Sequence, residues 1–150
     1  MEAKRRIIPP VWMLLALLAS LALHRWLPLV SLLRPPWTWS GVVPILAALL
    51  LTPPAMLLFR GSGTPIMPFE RSTALVTTGV YRFTRNPMYL GLTLVLLGAA
   101  VLQGSLGACL PIPLFVLIIQ KRFIEGEERF LTEIFGEQYL SYRRRVRRWL

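Results

Sequence analysis

The chain has 150 residues, the length of one domain, but 55% of them are apolar and the mean hydropathy is +0.56, too apolar for an ordinary soluble fold. Seventeen Lys and Arg against seven Asp and Glu give a net charge of +10, which would suit nucleic acid only on a polar, aromatic-studded surface; here the basic residues flank apolar blocks. The lone Cys109 forbids an intrachain disulfide and Cys-based metal motifs, and the lone His24 removes Ser-His-Asp, Cys-His and His-rich zinc chemistry, leaving carboxylates, arginines, tyrosines and backbone to act.

Four apolar blocks run roughly over 8–30, 40–59, 88–105 and 107–124, each near the ~20 residues a helix needs to cross the hydrocarbon core. The first follows Lys4-Arg5-Arg6, and its basic start, apolar centre and "SLA" also suit a signal peptide. Its apolar stretch continues to Val30, with Trp26 and Pro28 at the interface, and so reads better as a retained span. The second block lies between "RPPWTWSG", where Trp37 and Trp39 suit interfacial anchors, and "FRGSGTP", and Pro44, Pro53 and Pro54 predict a kink.

The third and fourth blocks meet at "QGSLG", Gln103 to Gly107, a turn tight enough to make them antiparallel neighbours, and Pro111 and Pro113 fall early in the fourth. With four spans and the N-terminus inside, fifteen of the seventeen basic residues are cytoplasmic, Arg25 and Arg34 excepted, as are all seven acidic ones. The expected fold is therefore all-α and polytopic, with a cytoplasmic loop from Arg60 to Asn86 and a tail from Glu125 to Leu150. In the tail Phe130, Ile134, Tyr139, Tyr142, Val146 and Trp149 recur at roughly helical spacing with arginines opposite, the pattern of an amphipathic helix lying on anionic lipid. Such a helix does not account for the adjacent Glu127 and Glu128 at the exit of a span.

The stretch "GVYRFTRNPMYLG", residues 79 to 91, brings Tyr81, Arg85, Asn86 and Tyr89 to the same membrane face as Glu127 and Glu128. Carboxylates, aromatic faces and backbone groups without histidine or metal suit a cation carried by a small polar molecule, and a sulfonium cofactor is one such molecule.

"TALVTTGVYRFTRNPMYLG", followed about forty residues later by "EERFLTEIFGEQYLSYRRRV", resembles the isoprenylcysteine carboxyl methyltransferase family and the related phospholipid methyltransferases, over residues 72 to 148. The resemblance implies an integral membrane enzyme, of the bacterial inner membrane, that takes S-adenosylmethionine from the cytosol and a lipophilic acceptor from the bilayer, without nucleic acid or metal; the count of basic residues puts both termini in the cytoplasm. It implies one methyltransferase domain over 1–150, with a cofactor-binding part over about 66–150 in which the loop and the C-terminal helix form the pocket. The family's "HxLV" stretch falls on Thr73, Ala74, Leu75 and Val76, lining the adenosine pocket, and Tyr81 matches the tyrosine two residues after the glycine. The family's "RHPxY" falls on Arg85 to Tyr89, placing Asn86, Pro87, Met88 and Tyr89 against the cofactor, with Glu127 toward its ribose or aminoacyl end and Glu128 as its partner.

Thr73 and Asn86 stand where the family has histidine, and Phe123 stands where the prenylcysteine enzymes carry an arginine for the substrate carboxylate; Arg122 is next door but turned by about 100° along a helix. These departures leave the acceptor open. A carboxylate needs only an electrostatic clamp, for which Arg85 or Arg122 is available, whereas an amine must lose a proton, which Glu127 or Glu128 can take. The expected activity is carboxyl O-methylation of the isoprenylcysteine type. The alternatives are a phospholipid amine N-methyltransferase and a non-enzymatic membrane assembly or lipid-binding protein with an interfacial salt-bridge network.

Overall fold

A computed structural model describes residues 8–62 and 74–150 of the chain. Among the described residues the structure is helical, with a single isolated β-bridge, Ser31 to Ser105, and no strand. The helices are α1 (Pro9–Trp26), α2 (Val42–Gly61), α3 (Pro87–Gln103), α4 (Leu106–Cys109), α5 (Pro111–Ile119), α6 (Glu125–Phe135) and α7 (Glu137–Arg145). A 3-10 turn, Trp37–Gly41, leads into α2, and a π-helical turn, Gln120–Ile124, joins α5 to α6.

Two helical stretches are long and apolar enough to cross a membrane, Trp37–Gly61 and Leu106–Phe135, and Pro87–Gln103 is a shorter apolar helix. Only 11% of the most apolar window of Trp37–Gly61 is buried, unlike the core helix of a soluble protein. The expected first span ends as a helix at Trp26, four residues before Val30. Proline opens three helices at positions whose N–H would have no helical partner: Pro9 in α1, Pro87 in α3 and Pro111 in α5. Pro53 and Pro54 lie inside α2, which continues through them to Gly61.

The chain divides into two compact units, Met1–Ile45 with Leu92–Val116, and Leu46–Gly91 with Leu117–Leu150. In the first unit the turn expected at "QGSLG" is present. Gly104 takes φ +71°, and Ser105 caps α4 by accepting from the Ala108 N–H at 3.3 Å. A polar chain holds α1 there: Ser20 donates to the Ala108 carbonyl at 2.8 Å, Gln103 donates to Ser20 at 3.0 Å, and His24 Nδ1 lies 2.8 Å from Ser105 Oγ. The one histidine is thus engaged in packing α1.

In the second unit a seam of small residues sets the close approach of two helices. A Cβ at Gly91 of α3 would meet Thr52 Oγ1 and approach the Ala48 carbonyl to 3.9 Å, and on α2 Ala48 and Ala55 are buried. The tail departs from the single amphipathic helix read from its periodicity. Gly136 adopts φ +50°, which favours glycine, and divides it into α6 and α7. Val146 then turns extended (φ −120°, ψ 133°) and ends α7. Tyr139 and Tyr142, read from sequence as part of a lipid-facing stripe, are buried at 2% and 4% exposure.

Candidate functional site

The polar residues of the second unit gather around the start of α3. Asn86 precedes that helix and accepts its first backbone bond, from Leu90 at 2.9 Å, while its own N–H donates to Thr84 Oγ1 at 3.2 Å. Pro87 follows and is buried, fixing the helix direction. This entry places Arg85 on one side of the helix start and Tyr89 one turn inside it.

Arg85 and Glu128 meet at 3.1 Å, their side chains only 9% and 10% exposed. Arg85 also donates to the Tyr139 hydroxyl at 3.1 Å. Glu128 accepts a forked pair from Arg148, Nε to Oε1 at 2.9 Å and Nη2 to Oε2 at 2.7 Å, so a single buried carboxylate faces two guanidinium groups. Breaking a buried pair costs about 3–5 kcal/mol, because the surviving charge is left without compensation. That bond and the Glu128 charge hold the Arg148 proton more tightly than usual, against the opposing effect of desolvation.

Glu127 has different surroundings. Its Oε1 accepts from the Tyr89 hydroxyl at 2.5 Å, and the Tyr89 ring lies 6.3 Å from that of Phe123, tilted by 41°. Tyr81 is 4% exposed, its ring 5.7 Å from Phe59 and its backbone carbonyl accepting from the Tyr142 hydroxyl at 2.7 Å. Among the described residues its own hydroxyl has no hydrogen-bond partner. Burial, then the neighbouring Tyr142 and the Glu127 charge, push that phenol far above its usual 10, so it stays a donor. Burial raises Tyr142 likewise, and Tyr139 too, with Glu128 adding and Arg85 opposing.

The residues expected at the site fall into three groups. Arg85 with Glu128, and Tyr89 with Glu127, are joined directly, and Tyr81 sits within the field of Glu127. Ala74, Leu75, Val76 and Met88 are half-buried, and the Asn86 amide donates to the Arg148 carbonyl at 2.9 Å. Arg122 is exposed on the π-helical turn beside the buried Phe123, and Thr73 lies outside the described residues. Reading the sequence missed Arg148, one of five arginines between 143 and 148, and gave Tyr139 and Tyr142 no site role. No residue-type signal separates Arg148 from its neighbours. Its role depends on the extended turn at Val146.

Chemically, the arrangement is a paired anion, Glu128, beside an anion held by one phenol, Glu127, with aromatic rings and an unsatisfied hydroxyl next to it. Such an arrangement of groups suits a cationic ligand rich in hydrogen-bonding groups. No group of three or more His, Cys, Asp or Glu among the described residues is arranged to hold a metal ion.

The profile of the family described as phospholipid methyltransferase matches residues 36–138, more than half of the chain and including the start of α3 and both glutamates. The chain belongs to the phospholipid methyltransferase family. Among its relatives, the protein-S-isoprenylcysteine O-methyltransferase of Schizosaccharomyces pombe is 39% identical over 75 residues, covering 48% of this chain and 30% of the relative. That of Xenopus laevis is 34% identical over 119 residues, covering 73% of this chain and 40% of the relative. An uncharacterized protein of Haemophilus influenzae is 41% identical over 63 residues, 42% of this chain and all of that protein. The family resemblance read from the sequence is thus borne out, by the profile for the phospholipid enzymes and by the relatives for the isoprenylcysteine enzymes. The chain spans 30% to 55% of the length of the isoprenylcysteine O-methyltransferases it matches. No solved structure matches it.

Proposed function

We propose that this phospholipid methyltransferase family member is an integral membrane enzyme that moves a methyl group from S-adenosylmethionine to a lipophilic acceptor at the cytoplasmic face. The observation that carries the reading is the buried, unpartnered Tyr81 hydroxyl beside the Tyr89–Glu127 pair, inside the matched region. An orphaned buried donor costs about 1–3 kcal/mol, which a ligand acceptor placed there would recover.

The residues present fit the cofactor. Glu127 offers an acceptor to its ribose or amino group, Tyr81 a donor, and the Tyr81, Tyr89 and Phe123 rings apolar faces to a sulfonium. S-adenosylmethionine, when bound, supplies a methyl carried on a positively charged sulfur. In this reading Ala74, Leu75 and Val76 line the adenosine, and Pro87 and Met88 pack beside it. Aligning donor and acceptor in a dry pocket is the chain's main work, worth up to ~7–11 kcal/mol of barrier. Glu127, Tyr81 and Tyr89 would hold the cofactor with its methyl toward the acceptor, and it would supply that methyl and leave as a neutral thioether. In this reading residues 1–150 form one domain with its cofactor-binding part over about 66–150. The helices α1, α2 and α3 and the stretch Leu106–Phe135 make four crossings, with both termini cytoplasmic, as the basic residues favour.

Relatives named for isoprenylcysteine favour a carboxylate acceptor, which forms its new O–C bond with no proton to dispose of. A second reading has support in this chain's own side chains. Arg85 and Arg148 are both engaged by Glu128, and Phe123 is buried against Tyr89, while Glu127 can take the proton of an amine before the N–C bond forms.

One experiment covers both levels. Detergent-solubilised protein should bind S-adenosylmethionine or its demethylated product, and Glu127→Ala and Tyr89→Ala should lose that binding while staying folded. Failure of folded wild-type protein to bind either ligand sinks the reading. Labelled methyl transferred to a total lipid extract then separates the acceptors, base-labile label meaning carboxyl and base-stable label meaning amine.

A further inference from the structure

Residues 146–149 lie beyond the matched family region and yet make a dense set of bonds to the site. The Arg85 N–H donates to the Arg147 carbonyl at 3.0 Å. The Arg148 carbonyl accepts from Asn86 Nδ2 at 2.9 Å and from Thr84 Oγ1 at 3.3 Å. The Arg148 guanidinium forks onto Glu128, and Trp149 Nε1 donates to Gln120 on the π-helical turn at 3.4 Å. The segment therefore ties the loop before α3, which leads to Tyr89, to the turn and helix that carry Glu127.

We propose that residues 146–149 act as a strap and that Arg148 is a positioning residue for methyl transfer, acting through Glu128 and Asn86. This rests on the methyltransferase reading above. The physical case lies in the bookkeeping of charge and donors. Glu128 is adjacent in sequence to Glu127 and almost wholly buried, so its position sets the rotation of the first turn of α6. Arg85 alone would satisfy one carboxylate oxygen; the fork from Arg148 satisfies both and fixes the plane of the group. The Asn86 amide is held by the backbone of the strap. Through its bonds to Glu128, Asn86, Thr84 and Gln120 the strap supports both walls that carry the Tyr81 hydroxyl and the Tyr89–Glu127 bond.

The test uses the full chain in detergent and binding of S-adenosylhomocysteine by calorimetry, with methyl-transfer kinetics and hydrogen exchange alongside. Arg148→Ala should weaken binding by about tenfold or more and speed amide exchange over residues 84–90, with α1 exchange unchanged. Arg148→Lys keeps a charge but not the fork, and should restore part of the affinity. Because Arg148 acts through Glu128, Glu128→Gln combined with Arg148→Ala should bind no worse than the weaker single variant. Wild-type binding with Arg148→Ala within about twofold of it overturns the strap and leaves the functional reading standing, as does full additivity in the double variant. Absence of binding by folded wild type overturns the functional reading and the positioning role with it. Should Arg148→Ala fail to fold, Arg148→Lys decides: a loss of about threefold or more at an unchanged melting curve supports the strap, and wild-type affinity overturns it.

Discussion

Glu127 and Glu128 are neighbours in sequence with opposite surroundings. Glu128 is neutralised by Arg85 and Arg148, whereas Glu127 accepts from the Tyr89 phenol and lies near the unpartnered Tyr81 hydroxyl. A pair of glutamates at a span exit is visible in the sequence, but its division of labour is not, because it depends on an arginine twenty residues away. The orphaned hydroxyl gives a discriminating prediction. Tyr81→Phe deletes a buried donor without a partner and keeps the ring on Phe59, so the ligand-free protein should melt at the same temperature or higher, a gain of up to about 1–3 kcal/mol. The same variant should bind S-adenosylhomocysteine several-fold more weakly, by about 1 kcal/mol for one hydrogen bond. A lowered melting temperature with unchanged binding would assign Tyr81 to structure alone.

Tyr81, Tyr139 and Tyr142 are held above the usual phenol value of 10, chiefly by burial. Folding favours their protonated form, so this stabilisation is complete below pH 10 and is lost as pH rises above it toward the raised folded values. Near-ultraviolet titration should show phenolate from these residues appearing together with loss of the helical circular dichroism signal. Phenolate from all four tyrosines near pH 10 in protein that keeps its helices would contradict their burial.

At the level of elements, the local rules read well. Prolines mark the first turns of α1, α3 and α5, and the turn predicted at "QGSLG" is made by Gly104 and Ser105. The tail is less legible in sequence, because Tyr139, Tyr142, Val146 and Trp149 continue the helical periodicity of α6 while the backbone breaks at Gly136 and again at Val146. Periodicity reports which side chains are apolar, and here two tyrosines that fit a lipid-facing stripe are buried instead in the site. The π-helical turn is also invisible to it, since one extra residue per turn leaves no compositional mark. The seam between α2 and α3 carries a stability prediction. Replacing Gly91 with Ala removes a poor helix former, a gain of up to ~1 kcal/mol, but puts a methyl group onto Thr52 Oγ1, and overpacking costs about 1–3 kcal/mol. Packing should win, giving a lower melting temperature that Thr52→Ala in the same chain largely restores. If Gly91→Ala is stabilising alone, the two helices do not approach as closely as the seam requires.

For the whole molecule, charge and apolar surface divide along the chain. The described part of the first unit carries Arg25 and Arg34 and no acidic residue, whereas all the ion pairs described above belong to the second. Large apolar side chains are exposed along α1 and α2, among them Leu14, Leu18, Leu46 and Leu50, which water would not tolerate in such numbers but lipid does. The proposed four crossings with cytoplasmic termini, which the positive-inside rule favours, predict sidedness directly. With the native Cys109 replaced by Ser, single cysteines at Arg34 and Arg145 should lie on opposite sides of the membrane, both positions being exposed. In sealed, inside-out vesicles an impermeant maleimide should label Arg145→Cys at once and Arg34→Cys only after the vesicles are opened. An odd number of crossings between the two positions is the physical content of that result, since α2, α3 and Leu106–Phe135 lie between them. Immediate labelling at both positions would place them on one side and reduce the crossings after Arg34 to an even number. It would also remove the reason for setting Arg82, Arg129 and the exposed arginines of α7 against the anionic cytoplasmic leaflet, where each is worth about 1 kcal/mol.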